Sequence, residues 1–431
     1  MKNTFLTIVL VVFSAINTYA QFKFDNIALH HLNIIDVNTK QIIKNQTIVI
    51  HYNKIAAILP TKNYIENDST HSIILKDKYV LPGLIDAHVH FATNPTVERR
   101  DNAEQVLKEM LLTGITSVRD MAGDTRALSS LARNTLVGDI DGPNIYYSSL
   151  MAGPEFFSDL RTIATAQGGI SGKMPYMKSI DNSSNLTLDV AQAKGTGAAG
   201  IKLYANLSKQ EIKKIVKEAK KQKMNVWAHA ALSPTKPSEI ISSGVISISH
   251  VDMLLYEYFE SRKELIAKWE IPENETRNTQ YWDNEFEQLE FSELYKLMIV
   301  NNVVLDATMT VYENYKDSPR LTWRYELAKR IINQAYNNGV LIAAGSDSDQ
   351  KTFVQHEMKL LVNKCEFKPI DAIISATKHS AMATGILESE GSIETGKNAN
   401  LLLLHSNPIE NIESIESVFM VVKKGKLYNP Y

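Results

Sequence analysis

Cysteine is almost missing from this 431-residue chain: Cys365 is the only one. A single thiol closes no internal disulfide and builds no Cys-rich zinc site, so any metal must be held by histidine, carboxylate or a modified side chain. A surplus of one charge is missing too. Lys and Arg number 46 against 48 Asp and Glu, a net charge of −2. Without a basic excess the chain is not read as a nucleic-acid binder. No Gly-rich phosphate loop opens a helix after a strand, which removes the usual dinucleotide fingerprint. After the first twenty residues no run is long and apolar enough to cross a bilayer, which takes about 20 apolar residues. What remains is ordinary globular composition, 44% apolar and 22% charged. The length suits one barrel-sized domain or two to three smaller ones.

Residues 1–20 read as a signal peptide. Lys2 precedes the apolar run FLTIVLVVF (5–13), and Thr18-Tyr19-Ala20 offers a small-residue cleavage site after Ala20. The run is short for a transmembrane span; an uncleaved anchor or a buried helix is the alternative. No Cys follows the site, which argues against a lipid-modified lipoprotein. The expectation is an exported protein, periplasmic or secreted, without a stable membrane anchor after cleavage.

The rest divides into two kinds of pattern. Residues 21–82 hold short segments rich in Ile, Val and Thr (27–36, 41–51, 54–59), and residues 388–431 look similar, with strands at 400–405 and 418–423. These ends are expected to form one small β-sandwich domain built from both termini. Between them, over 83–387, eight apolar strand-like runs recur: 84–90, 115–121, 144–149, 200–205, 225–230, 245–251, 303–309 and 340–347. Amphipathic stretches such as 104–112, 209–221 and 327–337 separate them. Eight strand–helix units predict an α/β fold, a (β/α)8 TIM barrel, with an open parallel sheet as the alternative. Two connections are long, 151–186 and 254–302. After barrel strands such loops are lids or specificity loops, or else helical hairpins packed on the wall.

Chemistry-bearing residues sit at matching places on those strands. His88 and His90 end the first run, and alternation puts both on one face. Lys202 lies in the fourth, His229 ends the fifth, His250 the sixth and Asp347 the eighth. The C-terminal end of barrel strands is where such folds carry chemistry. Each residue alone has a bland reading, as a core histidine, a rim lysine or a helix cap; six together at strand ends do not. Four imidazoles and a carboxylate suit a borderline divalent metal such as Zn2+, although Mn, Co and Fe also fit. Lys202 stands out, because an ammonium has only donors and cannot ligate a cation. Tyr204, two residues on, shares its face and is a candidate to hold a substrate carbonyl or carboxylate. Arg119 and Asp120 are read as structural, His356 and His379 are left unassigned, and His30, His31, His51, His71 and His405 fall to surface or packing in the sheet domain.

The motifs VLPGLIDAHVH (80–90), TSVRDMAG (116–123), GIKLY (200–204), AHA (228–230), ISH (248–250), AAGSD (343–347) and GSIETGKNANLLLL (391–404) resemble the amidohydrolase superfamily, in particular its imidazolonepropionase-like and prolidase-like members. The resemblance runs from about residue 27 to the C-terminus. It implies two divalent metal ions: His88, His90 and Asp347 on the more buried one, His229 and His250 on the other. A CO2-derived carbamate on Lys202 and a hydroxide would bridge them. The sequence departs from the pattern at VDML after His250, where relatives often carry glycine. The implied reaction is hydrolysis of an amide bond in a dipeptide or an N-acyl amino acid by attack of that hydroxide, with Asp347 moving the proton to the leaving nitrogen. A lactonase, esterase or phosphotriesterase on the same residues is the first rival, and a non-catalytic binding protein on the barrel the second. The expected partner is a small-molecule substrate, and a homo-oligomer is left open.

Overall fold

The β-branched, period-two segments that open the chain fold as five strands: β1 (Asn26–Asp36), β2 (Gln41–His51), β3 (Lys54–Pro60), β4 (His71–Ile74) and β5 (Tyr79–Pro82). They are seen in a computed structural model that describes residues 25–91, 97–269, 271, 275, 277–347 and 353–430. The expected leader, 1–20, lies outside the described residues.

The middle of the chain supplies β6 (Leu84–Val89), β7 (Ile115–Asp120), β8 (Asn144–Ala152), the short pair β9 (Lys173–Met174) and β10 (Met177–Ser179), then β11 (Gly200–Leu203), β12 (Asn225–His229), β13 (Ser247–Ser249), β14 (Val304–Asp306) and β15 (Ile342–Ala343). Leaving out β9 and β10, the other eight pair parallel in chain order. The ring closes where Ala87 N donates to Ala344 O (3.0 Å) and Asp347 N to His88 O (2.8 Å). This is the expected barrel. Its strands read as near-continuous apolar runs because both faces are covered, by helices outside and packed side chains within. The helix Lys209–Lys221 shows how one covering element is specified. Ser208 and Glu211 form a reciprocal capping box at its start, and Ile212, Ile215 and Ala219 make the buried stripe.

The chain returns as β16 (Leu401–Leu404), β17 (Val418–Lys423) and β18 (Lys426–Tyr428), which join the first five in one eight-stranded sheet. β1 is its hinge: it pairs antiparallel with β2 along its length, and parallel with β4 and then β5 on the other side. β16 completes the link by pairing antiparallel with β5. Its four leucines are all buried, but on opposite faces. Leu401 and Leu403 pack with Ile27, Leu29 and Val80 inside the sheet, while Leu402 and Leu404 join the barrel core. One strand thus serves two cores. No helix among the described residues is long and apolar enough to cross a membrane.

Candidate active site

Each polar side chain singled out in the sequence leaves the barrel at the C-terminal end of its strand. His88 is the penultimate residue of an all-buried β6 and His90 follows the strand; Lys202 is on β11, His229 ends β12, His250 follows β13 and Asp347 follows β15. All six, together with Tyr204, line one cavity of about 390 Å³. Asp347 Oδ1 lies 3.2 Å from His90 Nε2 and 3.6 Å from His88 Nε2, and Oδ2 lies 3.7 Å from His250 Nδ1. Ring centroids step round the floor: His90 to His88 5.2 Å, His88 to His250 5.1 Å, His250 to His229 4.7 Å, His229 to Tyr204 4.0 Å. Ligand atoms of His88, His250 and Asp347 fall within 4.8 Å of one another. The backbone is strained where these strands end, with φ of 73° at His250, 50° at Thr308 and 47° at Asp347. Such conformations persist where packing over-determines them, as at reactive sites.

Behind this floor is a second set of groups that the sequence reading missed. Asp306, at the end of β14, accepts through Oδ2 from His88 Nδ1 (2.6 Å), Ser249 Oγ (2.9 Å) and Arg119 Nη2 (3.2 Å). Ser249 Oγ in turn accepts from Lys202 Nζ at 3.0 Å. One carboxylate therefore ties together His88 and, through a hydroxyl, Lys202. Arg119 is fully buried and also bonds Ala87 O and Ser247 Oγ, so it is structural, as expected, yet it reaches His88 through Asp306. Asp86 closes the barrel beside the site: it accepts from His88 N (3.1 Å), Ser346 N (2.9 Å) and Ser346 Oγ (2.6 Å). Both carboxylates carried a legible signal. Asp86 sits two before His88 on the same face, and Asp306 ends an apolar strand as Asp347 does. The glycine of AAGSD is required by this packing, since a Cβ on Gly345 would lie 2.5 Å from Asp306 Oδ1 and 2.7 Å from His88 Cβ.

The electrostatics fit a cation site. Burial pushes His88, His229 and His250 below the ordinary imidazole range, leaving neutral rings with free lone pairs. The Asp306 contact occupies His88 Nδ1 and leaves Nε2 facing Asp347, the arrangement that fixes tautomer and orientation in metal-binding histidines. Burial alone would raise Asp347 and lower His90. The opposite charges win in both: His88, His90 and His250 hold Asp347 far down, and Asp347 lifts His90 to about 9. Burial also brings Lys202 down to about 7, against a weaker upward pull from Asp306. A lysine of this kind offers a neutral, nucleophilic amine near neutrality.

Of the two long connections, one reaches the site through its described residues. Residues from 151–186 supply Phe156, Arg161 and Met177 to the cavity wall, with Phe156 stacked on Tyr204 at 4.4 Å. The 254–302 segment folds instead into the helices Arg262–Trp269, Thr279–Phe286 and Ser292–Asn301. There Trp269 packs on Phe286 and on Trp323 at 5.3 and 5.4 Å, making a wall rather than a lid. His356 pairs with Glu313 (2.5 Å) and His379 Nδ1 lies 3.0 Å from Ile342 O; neither lines the cavity. His30 is buried in the sheet, between Thr47 and Ser72.

A parallel barrel that gathers imidazoles and a carboxylate at its strand ends is the architecture of a metal-dependent hydrolase. The chain belongs to the Amidohydrolase family, whose sequence profile matches residues 79–428. Membership makes it a hydrolase acting on carbon–nitrogen bonds. Ochratoxinase of Aspergillus niger is 24% identical, over 90% of this chain and 83% of its own. A Xaa-Pro dipeptidase crystallised with methionine in its active site is 25% identical, with a TM-score of 0.72 over 94% of this chain and all of the other. The crystal structure of the A. niger ochratoxinase superposes with a TM-score of 0.73 at 22% identity, covering 94% and 96%.

Proposed function

We propose that the chain is an exported, binuclear metal-dependent amidohydrolase that cleaves an amide bond in a dipeptide or an N-acyl amino acid. The observation that carries this reading is the convergence of His88, His90, Lys202, His229, His250 and Asp347 on one cavity. His88, His90 and Asp347 would hold one cation, His229 and His250 the other, and Lys202 as a carbamate would lie between them; zinc suits this donor set. Lys202 is assigned that form because an unmodified ammonium offers only donors among groups that otherwise accept. The similarity to a Xaa-Pro dipeptidase supports a dipeptide-like substrate.

When bound, such a cation pair brings the pKa of water down to about 7 and polarises a carbonyl. The chain's own residues do the rest. Asp347, within 3.2 Å of His90 Nε2, is placed to take a proton from the attacking water and deliver it to the leaving nitrogen, without which an amine leaves poorly. Tyr204, packed against His229, is placed to donate a hydrogen bond to the substrate. Asp306 and Ser249 keep His88 and Lys202 aimed at the cavity.

Metal analysis of the purified protein, combined with a panel of dipeptides, N-acyl amino acids, lactones and esters, tests the reading. Two equivalents of a zinc-like metal and turnover confined to amides are expected. Absence of bound metal whatever the CO2 supply, or turnover of lactones alone, would overturn it. Export is tested by N-terminal sequencing of the mature protein, expected to begin at Gln21.

A further inference from the structure

Set the six strand-end groups aside, and among the described residues the cavity wall carries a single charged side chain, Arg161. It lies on the short helix Leu160–Thr165, in the long connection after β8. Asp159, which caps that helix, clamps the guanidinium through Nε (3.1 Å to Oδ1) and Nη2 (2.6 Å to Oδ2). A fork held on one edge keeps its other edge, Nη1, in a fixed direction. The guanidinium and the Tyr204 side chain share the same stretch of cavity wall. Tyr204 in turn packs against His229, with 4.0 Å between ring centroids and the planes tilted by 45°. One phenol ring therefore separates a rigid cationic donor from the imidazole floor.

We propose that Arg161 and the Tyr204 hydroxyl form a subsite for the free carboxylate of the substrate, and that the amino acid carrying it has an apolar side chain. The inference rests on the amide-hydrolase reading above. In an N-acyl amino acid only the amide nitrogen and Cα separate the carboxylate from the scissile carbonyl carbon. A carboxylate on Arg161 thus leaves the carbonyl over the floor across the width of Tyr204. The side chain leaves the same Cα, so it must lie against what surrounds Tyr204. That surround is apolar: Phe156, Leu150 and Met177 form one packed cluster with the Tyr204 ring. A planar guanidinium matches a carboxylate geometrically, and the Asp159 clamp reduces the entropy lost on binding.

The test separates binding from turnover. N-methylsulfonyl-L-methionine, which has no scissile carbonyl, and its C-terminal carboxamide are titrated calorimetrically into the metal-loaded wild type, Arg161→Ala and Arg161→Gln. N-acetyl-L-methionine and its carboxamide are the turnover pair. The free acid is expected to bind the wild type better than its carboxamide, and Arg161→Ala to weaken the acid about 10- to 100-fold while leaving the carboxamide unchanged. Metal content should be the same in all three proteins. Should Arg161→Ala fail to fold, Arg161→Gln, which keeps the length of a polar side chain, carries the same comparison. Equal binding of acid and carboxamide by the wild type, or a loss on substitution that falls equally on both, would overturn the subsite. Carboxylate-dependent binding with no cleavage of the acetyl compounds or of any dipeptide in the panel would uphold the subsite and instead remove the proposed dipeptide or N-acyl amino acid substrate.

Discussion

His88 is defined as much by what stands behind it as by what it faces. Its Nδ1 meets Asp306 at 2.6 Å, and that same carboxylate oxygen receives Ser249 and Arg119. Carboxylates in this position typically contribute 10- to 100-fold to metal affinity or activity. Asp306→Asn replaces an acceptor oxygen with a donor or a weaker acceptor, so metal affinity is expected to fall by about that factor; a competition titration against a chelator measures it. Ser249→Ala removes the hydroxyl that joins Lys202 to Asp306. It is expected to lower the carbamate occupancy of Lys202, read by 13C NMR in 13C-bicarbonate, and full occupancy would show that the lysine is positioned by something else. Lys202→Ala itself should remove most of the rate and the less buried metal, and near-normal turnover would contradict the two-metal assignment. These support residues were only partly legible beforehand. Asp86 and Asp306 follow the same strand-end pattern as Asp347, but Ser249 is an ordinary serine until β13 is set between β12 and β14.

At the scale of elements, the loop after β8 and the loop after β13 are both long in sequence, the first glycine-containing and the second rich in aromatics. Among the described residues only the first approaches the cavity, because Phe156 and Met177 pack against Tyr204 on β11's continuation. The second buries its tryptophans against Trp323 on the helix Thr322–Asn337. A different element is expected to govern acid stability. His379 closes a π-turn, Ser375–His379, and burial lowers it to about 4 from an ordinary 6.5. The folded state binds this proton less readily than the unfolded chain. Its contribution is therefore fully present above pH 6.5 and lost as pH falls towards 4, in all about 3 kcal/mol. Denaturant midpoints followed from pH 7 to 4 should fall less steeply in His379→Gln than in the wild type; parallel curves would exclude the histidine. The capping box is a smaller term: Ser208→Ala should cost about 1 kcal/mol, checked by equilibrium unfolding.

For the molecule as a whole, the consequential strand is β16. Leu401 and Leu403 belong to the sheet's core, Leu402 and Leu404 to the barrel's. Leu402 also abuts Gly114, where a Cβ would lie 2.6 Å from its side chain and φ is +100°. Truncation here opens a cavity between the two bodies, so Leu402→Ala should cost about 2–5 kcal/mol. Both bodies should lose stability together in calorimetry, because one strand holds them. A variant that unfolded the sheet while leaving the barrel transition in place would contradict a shared core.

By itself the sequence determined the period-two ends, the eight apolar runs and the six polar residues at strand ends, because strand alternation and strand-end placement are local properties that survive without coordinates. It also carried the family. What only the tertiary structure decided is which residues stand behind that set and which stand opposite it. Asp306 meets His88 from 218 positions away, Ser249 bridges two strands, and Arg161 faces Tyr204 across a loop that leaves the barrel and returns. Such contacts depend on the order and closure of the ring, and no period or spacing along the chain encodes them.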